Sequence, residues 1–233
     1  MPFFYFDPYY MIAIAPAALL GMWAQWRVHS SFAAASREPA PLSGAAAARH
    51  ILDSAGATDV EIESVPGQLT DHYDPQTKVL RLSQGVYGSR SLAAVGIAAH
   101  EAGHALQDHQ GYSMMALRNA AVGVANVGSG LGLFVFMIGL AMMLKPVAWL
   151  GIALFGATVF FQLVNLPVEI DASNRAKAQL VDLGIVPSGS MASVNGVLNA
   201  AAWTYVAATL QTVLTLLYYA SYLTSGSSND SER

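Results

Sequence analysis

The chain contains no cysteine, and only 11% of its 233 residues are charged. Without cysteine, neither a disulfide framework nor a thiolate metal site can form, so a zinc ion would have to be held by histidine and carboxylate groups. The net charge is −4 and no block of basic residues occurs, which argues against nucleic acid as a partner. A charged fraction far below the roughly 25% of soluble domains indicates a membrane protein.

Four apolar stretches have about the 20 residues needed to cross a bilayer. These predicted spans cover residues 8–27, 119–144, 147–166 and 201–223. The rest of the chain is predicted to form a zincin-like domain at 28–118, a helix and loop at 167–200, and a disordered tail at 224–233. The fold class predicted is an α-helical membrane protein with about four transmembrane helices and a small α+β metallopeptidase domain.

The first apolar stretch has a second interpretation, a secretory signal peptide cleaved near residues 33–36. No Lys or Arg precedes the stretch, which favours a retained membrane anchor. The segment that follows, from Arg27 to Arg118, carries most of the arginines, and the positive-inside tendency then predicts that it is cytoplasmic. We therefore expect a multi-pass protein of the bacterial inner membrane with its active site on the cytoplasmic side.

The motif H-E-x-x-H lies in the apolar stretch 92–107, where His100, Glu101 and His104 occur in that order. On a helix, side chains four residues apart lie on one face, so both imidazoles can bind one metal ion while Glu101 lies beside it. This arrangement predicts a zinc site with a general base. Two histidines leave such a site one protein ligand short, and the third is usually His, Glu or Asp.

Two short strands are predicted before this helix, one at residues 60–65 and one at 79–82, around an Asp-Pro turn at Asp74. Asp71, His72 and Asp74 are close together there, which raises the alternative of a second metal site. We favour the interpretation that the two aspartates hydrogen-bond the turn backbone. Before the strands, Ser43 is predicted to cap a helix that stops at Gly56.

Charge returns directly after the second and third spans, in the segment that contains Glu169, Asp171 and Arg175. Two consecutive spans form a hairpin, so this segment returns to the side of the membrane that carries His104. A carboxylate at the start of a helix there is suitably placed to complete the zinc site. Glycines at 128–132 within the second span are predicted to allow close helix packing rather than to bind phosphate.

Three blocks of the sequence, at residues 67–83, 98–107 and 166–176, together resemble the YugP-type family of bacterial membrane zinc metallopeptidases. The resemblance implies the gluzincin pattern, with His100 and His104 as zinc ligands, Glu101 as the base and Glu169 as the third ligand. Related membrane proteases of the HtpX and CAAX-processing type have E-x-x-x-D at this place. Here Ser173 occupies the aspartate position, and Asp171 points about 160° away from that helix face.

The predicted reaction is hydrolysis of a peptide bond by water activated at zinc, with Glu101 passing a proton to the leaving amine. His72 and Arg175 are the candidate donors to the oxyanion. The strand at 79–82 is expected to bind an extended substrate by edge addition. The expected partners are the lipid bilayer and a polypeptide substrate. Because the site is expected near the membrane, the substrate can be membrane-associated. A regulatory membrane partner is left open.

Two other functions compete with hydrolysis. In a transporter or scaffold the His and Glu residues would conduct a transported species or stabilise the protein. Against this alternative, the charged site residues fall outside the predicted spans. In a zinc-binding pseudoprotease Glu101 would serve no purpose, because only catalysis requires it. The sequence therefore favours a zinc-dependent endopeptidase.

Overall fold

The computed structural model describes residues 7–228 and divides the chain into two compact units. One, called here the membrane unit, comprises the described residues up to Met22, then Leu117–Leu166, and those from Tyr205 onward. The other, the metal unit, comprises Trp23–Ala116 and Pro167–Thr204. The helices are α1 Pro8–Ala35, α2 Gly44–Ser54, α3 Gln84–Tyr87, α4 Leu92–His109, α5 Ser113–Ala141, α6 Lys145–Asp182 and α7 Met191–Ser228. A short 3-10 turn at Ser188–Ser190 precedes α7.

Four of these helices are long and apolar enough to cross a membrane, as the sequence predicted: α1, α5, α6 and α7. The helices extend beyond the predicted spans, because α5 begins at Ser113 and α7 at Met191. The predicted disordered tail is helical as far as Ser228, and its last five residues lie outside the described part of the chain. The predicted fold class of a helical membrane protein with a small α+β domain is confirmed.

The metal unit contains three strands rather than the two predicted: β1 Glu61–Val65, β2 His72–Asp74 and β3 Val79–Ser83. The Asp-Pro turn joins β2 to β3 as an antiparallel pair, whereas β1 pairs with β3 in parallel. The sheet order is therefore β1-β3-β2. Because β3 lies between two partners, the expectation that residues 79–82 bind substrate by edge addition is wrong, and only β1 and β2 have a free edge.

The two aspartates of the turn segment accept hydrogen bonds from neighbouring groups of the chain, which is the interpretation that the sequence favours. Asp74 Oδ1 accepts hydrogen bonds from the backbone N–H groups of Gln76 and Thr77, at 2.9 and 3.4 Å. Asp71 accepts bonds from the backbone N–H of Ser83 at 2.8 Å and from its hydroxyl. The alternative of a second metal site is not supported, since the one candidate metal cluster among the described residues lies elsewhere.

Helix α2 has the ends that its sequence predicts, and α4 begins with a serine cap of the same kind. Ser43 caps α2 by accepting the N–H of Ala46 at 3.3 Å, and Gly56 adopts a φ of 77° just beyond the end of the helix. Ser91 caps α4 in the same way, accepting the N–H of Ala94 at 3.2 Å. Most residues of α4 are buried, and the helix forms the centre of the apolar core of the metal unit.

Helix α6 corrects one expectation about the third ligand. The segment with Glu169 was expected to begin a new helix after Pro167, but α6 is continuous from Lys145 to Asp182 with Pro167 inside it. Proline has no N–H to donate, so one helical hydrogen bond is lost at this point. Glu169 therefore lies within a long helix, two residues after its proline.

Candidate metal centre

Three potential ligand atoms converge within the metal unit. One ligand atom each from His100, His104 and Glu169 lies within 4.8 Å of the others. Nε2 of His100 lies 3.3 Å from Oε2 of Glu169, and Nε2 of His104 lies 3.5 Å from the same oxygen. Ligands bound at 2.0–2.1 Å to a tetrahedral zinc ion are about 3.4 Å apart, so these separations fit that ion.

The burial of Glu169 provides an independent test of the fit. Its side chain is 4% exposed, and Oε2 is a buried atom without a hydrogen-bond partner. An unpaired carboxylate oxygen in a protein interior is strongly destabilising unless a cation or a donor binds it. Two imidazoles that face this oxygen without forming well-oriented hydrogen bonds leave a place that a zinc ion fits.

The sequence of α4 allows α6 to approach this closely. Gly103 lies between the two histidines, and a Cβ atom built on it would be 2.5 Å from the carbonyl oxygen of Ala172. Only glycine permits this contact without moving one helix away from the other. Gly103 thus allows the helix that carries Glu169 to pack directly against the helix that carries the histidines.

The electrostatics of the cluster couple the three groups. Burial alone raises the pKa of Glu169, but the two nearby imidazoles outweigh it and hold this pKa well below its usual value. Burial likewise opposes the charged form of His104, but Glu169 and the nearby charge of Glu101 raise the pKa of this imidazole. Protons and a metal ion compete for such nitrogens, so zinc binding requires the neutral imidazoles.

A buried glutamine orients His104. The side-chain N–H₂ of Gln107 donates to the carbonyl oxygen of Val168 at 2.8 Å and to Oδ2 of Asp171 at 2.9 Å. Its oxygen Oε1 therefore faces Nδ1 of His104, 3.0 Å away. Because this oxygen can only accept, Nδ1 carries the hydrogen and Nε2 offers its lone pair to the cluster.

The other histidine has a different support. Ser173 Oγ lies 3.1 Å from Nδ1 of His100, and the serine is buried. Ser173 lies four residues after Glu169 in α6, and its hydroxyl contacts the imidazole of His100. Asp171 is connected to the other histidine, His104, because Gln107 bonds both the carboxylate and that imidazole.

The remaining candidates from the sequence lie in different surroundings. Glu101 is half-buried on α4, next to the candidate ligand His100. Arg175 donates to Asp171 and to Gln110, and its guanidinium lies 5.6 Å from the centre of the Tyr112 ring. His72 is exposed on β2, where its Nδ1 lies 2.8 Å from the carbonyl oxygen of Thr70. The structure thus connects Arg175 through Asp171 to Gln107, which faces a histidine of the metal cluster. The side chain of His72 instead contacts the backbone of Thr70, two residues before it.

Sequence reasoning missed two residues of this centre, Gln107 and Gly103. Gln107 lies three residues after His104, a spacing that brings side chains together on a helix and offers a signal for it. Gly103 occupies the second variable position of the motif, where only the close approach of α6 explains the need for glycine. Both residues contact α6, and this partner helix cannot be identified from the sequence of α4 alone.

Comparison with known proteins extends over almost the whole chain. Residues 10–224 match the model of a family described as "Putative neutral zinc metallopeptidase". The chain is 44% identical over 218 residues to "Putative membrane protease YugP" of Bacillus subtilis (strain 168), an alignment that covers 92% of this chain and 97% of that protein. No solved structure matches the chain significantly.

Proposed function

Because the chain belongs to this family of neutral zinc metallopeptidases, we propose that it is a membrane-bound endopeptidase that hydrolyses peptide bonds. His100, His104 and Glu169 would hold the zinc ion, and Glu101 would act as the general base. The observation that carries the proposal is the convergence of the two imidazole nitrogens on a buried carboxylate oxygen of Glu169 that has no hydrogen-bond partner.

When bound by two imidazoles and a carboxylate, zinc supplies a Lewis acid and lowers the pKa of a water molecule towards about 7. Glu101 follows the first ligand in the helix and is half-buried, so its carboxylate can take a proton from water and deliver it to the leaving amine. Gln107 and Ser173 would keep the ligand imidazoles in the correct orientation during this cycle.

Stabilisation of the oxyanion requires a further donor, and Arg175 and His72 are the two candidates. Arg175 is favoured because it contacts Asp171, which is bonded to the support of a ligand histidine. His72 is a candidate because it lies on β2, a strand with a free edge along which an extended substrate could pair. Substrate pairing is accordingly proposed for β1 or β2.

The substrate class proposed is a polypeptide associated with the membrane. Four helices of this chain are apolar enough to cross a bilayer, which confines the enzyme to the membrane and favours substrates found there. The concentration of arginines between Arg27 and Arg118 supports a cytoplasmic site in a bacterial inner membrane. A membrane partner that regulates access is compatible with this proposal.

The test is zinc content together with cleavage of an unfolded model protein, measured on detergent-purified wild type and Glu101→Gln. Both proteins should hold about one zinc per chain, whereas Glu101→Gln should lose roughly 10²-fold to 10⁴-fold in cleavage rate. Asp182→Asn, which neutralises an exposed carboxylate at the end of α6, is the matched control and should cleave normally. Cleavage by Glu101→Gln at the wild-type rate would reject the base, and zinc without cleavage in the wild type would favour a scaffold.

A further inference from the structure

A cavity of about 400 Å³ lies within the membrane unit, at the ends of three of its helices. Asp7 and Tyr10 line it from the start of α1, and Leu140 lines it from the last turn of α5. The other aromatic lining comes mainly from the second half of α7. The cavity thus lies where the ends of predicted membrane spans meet, which is the level of lipid headgroups in a bilayer.

Four tyrosines form much of its wall: Tyr10, Tyr218, Tyr219 and Tyr222. The rings of Tyr10 and Tyr219 are stacked, with centroids 5.6 Å apart, and the ring of Tyr218 is steeply inclined to both, at 63° and 70°. The tyrosine rings therefore pack against one another, and together they border the cavity with aromatic surface. Aromatic surface in a binding site attracts ammonium and quaternary ammonium groups.

Asp7 adds a negative charge to this wall. Its Oδ1 accepts the backbone N–H groups of Tyr9 and Tyr10, and Oδ2 accepts the hydroxyl of Tyr218, so the carboxylate is held in position. It is the only carboxylate among the described residues of the membrane unit. An isolated ionisable group at the end of a membrane span is a reason to look for a ligand.

Among the described residues, no Lys, Arg or His lines the cavity. A fixed carboxylate surrounded by tyrosine rings attracts a cation and repels a phosphate or a carboxylate. The remaining lining is apolar, which suits the uncharged part of an amphipathic molecule. The chemistry of the wall therefore selects a ligand that combines an ammonium group with an apolar body.

We propose that this cavity binds the ammonium headgroup of a membrane phospholipid such as phosphatidylethanolamine. A neighbouring cavity of about 200 Å³ shares Leu140 and Tyr222 with the first, and Lys145 lines it. A positive charge next to an aromatic and anionic wall matches a zwitterionic headgroup, in which phosphate and ammonium are joined. The site is separate from the candidate metal centre, so it adds lipid selectivity to the proposed peptidase.

The test is a titration of the delipidated, detergent-purified chain with short-chain lipids, with bound lipid counted by native mass spectrometry. Dihexanoyl phosphatidylethanolamine should bind at least about tenfold more tightly than dihexanoyl phosphatidylglycerol, which has no ammonium group. Asp7→Asn should reduce this ratio to near one. Tyr222→Leu, which keeps an apolar side chain at a partly exposed position, should weaken phosphatidylethanolamine binding roughly threefold.

Tyr9→Phe is the matched control, because Tyr9 is 75% exposed and does not line the cavity. Its lipid preference should equal that of the wild type. The melting temperature followed by circular dichroism serves as the fold control for every variant, since the metal cluster lies in the other unit and zinc content does not report on this one. Because this control does not depend on zinc, a failure of this proposal is distinguished from a failure of the proposed peptidase.

Three outcomes would overturn the proposal. The first is binding of phosphatidylglycerol that equals or exceeds that of phosphatidylethanolamine. The second is an unchanged lipid ratio in Asp7→Asn with a normal melting temperature. The third is displacement of the lipid by free ethanolamine at a comparable concentration, which would assign the cavity to a soluble amine.

Discussion

The metal unit and the membrane unit differ in how polar groups connect their helices. In the metal unit, the contacts form a network, because Gln107 of α4 bonds the backbone of Val168 and the carboxylate of Asp171 on α6 and also faces His104. In the membrane unit, the polar contacts between helices are single ones, as between Arg118 and Asn165 or between Tyr10 and Thr215. The network fixes the geometry between two helices at one site, whereas the single contacts satisfy separate groups.

Glycine provides close helix contacts in the membrane unit, as Gly103 does in the metal unit. A Cβ atom on Gly139 would lie 2.2 Å from the backbone nitrogen of Ala148, and one on Gly151 would lie 2.3 Å from that of Phe136. Gly128 and Gly132, within the predicted small-residue stretch, make similar approaches between α5 and α6, so that prediction is confirmed. In lipid, the hydrophobic effect does not drive helices together, so their association depends on close van der Waals packing. The comparison indicates that a connected network of polar contacts between helices forms at the metal centre, whereas the helices of the membrane unit meet through glycines and single polar contacts.

The largest expected effect comes from Glu169→Ala, which removes the third proposed ligand. Zinc should fall from about one per chain to near none after dialysis, because two histidines alone bind zinc weakly. The matched control is Asn165→Ala, one turn earlier in α6, which removes the acceptor of Arg118 in the membrane unit. Zinc measured by mass spectrometry should be normal in this control, and zinc retained in Glu169→Ala would exclude Glu169 as a ligand.

A second variant tests the close contact of α4 with α6. Gly103→Ala should cost about 1–3 kcal/mol and weaken zinc binding, because its methyl group would collide with the Ala172 carbonyl. Gly96→Ala in the same helix would meet only Cγ1 of Val194, at 3.2 Å, which can rotate away. Thermal melting of the two proteins should differ, and equal melting temperatures with equal zinc affinity would contradict the proposed role of Gly103.

A third variant removes the support of His104. Gln107→Ala should weaken zinc binding by about 10-fold to 100-fold, since the imidazole loses its fixed orientation and the partners of the amide are left unpaired. Gln110→Ala should have a smaller effect, because Gln110 reaches the centre only through Arg175 and Asp171. Competition with a chelator measures both affinities, and wild-type affinity in Gln107→Ala would disprove the positioning role.

The smallest expected effect is a pH dependence of the metal unit at Tyr73. Burial raises the pKa of Tyr73, and its hydrogen bond to Asp108 at 2.8 Å raises this pKa further. The folded pKa therefore exceeds the unfolded value of about 10, so the stabilisation is complete below that pH and is lost as the pH rises through the folded value. Melting temperatures between pH 8 and 11 should fall less for Tyr73→Phe, and parallel curves would reject the assignment.

The sequence was sufficient for the features that depend on local pattern. The apolar stretches predicted four candidate membrane helices, and Ser43 and Gly56 predicted the limits of α2 because a cap and a stop act within one turn. The spacing of His100 and His104 predicted one shared helix face, and the structure brings their ligand atoms together with Glu169.

Features that depend on contacts between distant segments could not be predicted in this way. The third strand, β2, has only three residues, and its pairing with β3 decides which strand is central. Pro167 suggested a helix boundary, but the helix continues through it, since packing of α6 can compensate one missing hydrogen bond. The bridge from Asp171 to His104 depends on the long side chain of Gln107, which periodicity on α6 alone does not reveal.

The most direct test of the metal centre is X-ray absorption spectroscopy at the zinc edge on the purified wild-type protein. Two imidazoles and a carboxylate predict a four-coordinate zinc with two histidine contributions and oxygen ligands, at about 2.0–2.1 Å. Replacement of Glu169 by glutamine should change the oxygen contribution while both imidazole signals persist. A spectrum with three imidazoles, or one that Glu169→Gln leaves unchanged, would contradict the ligand set of His100, His104 and Glu169.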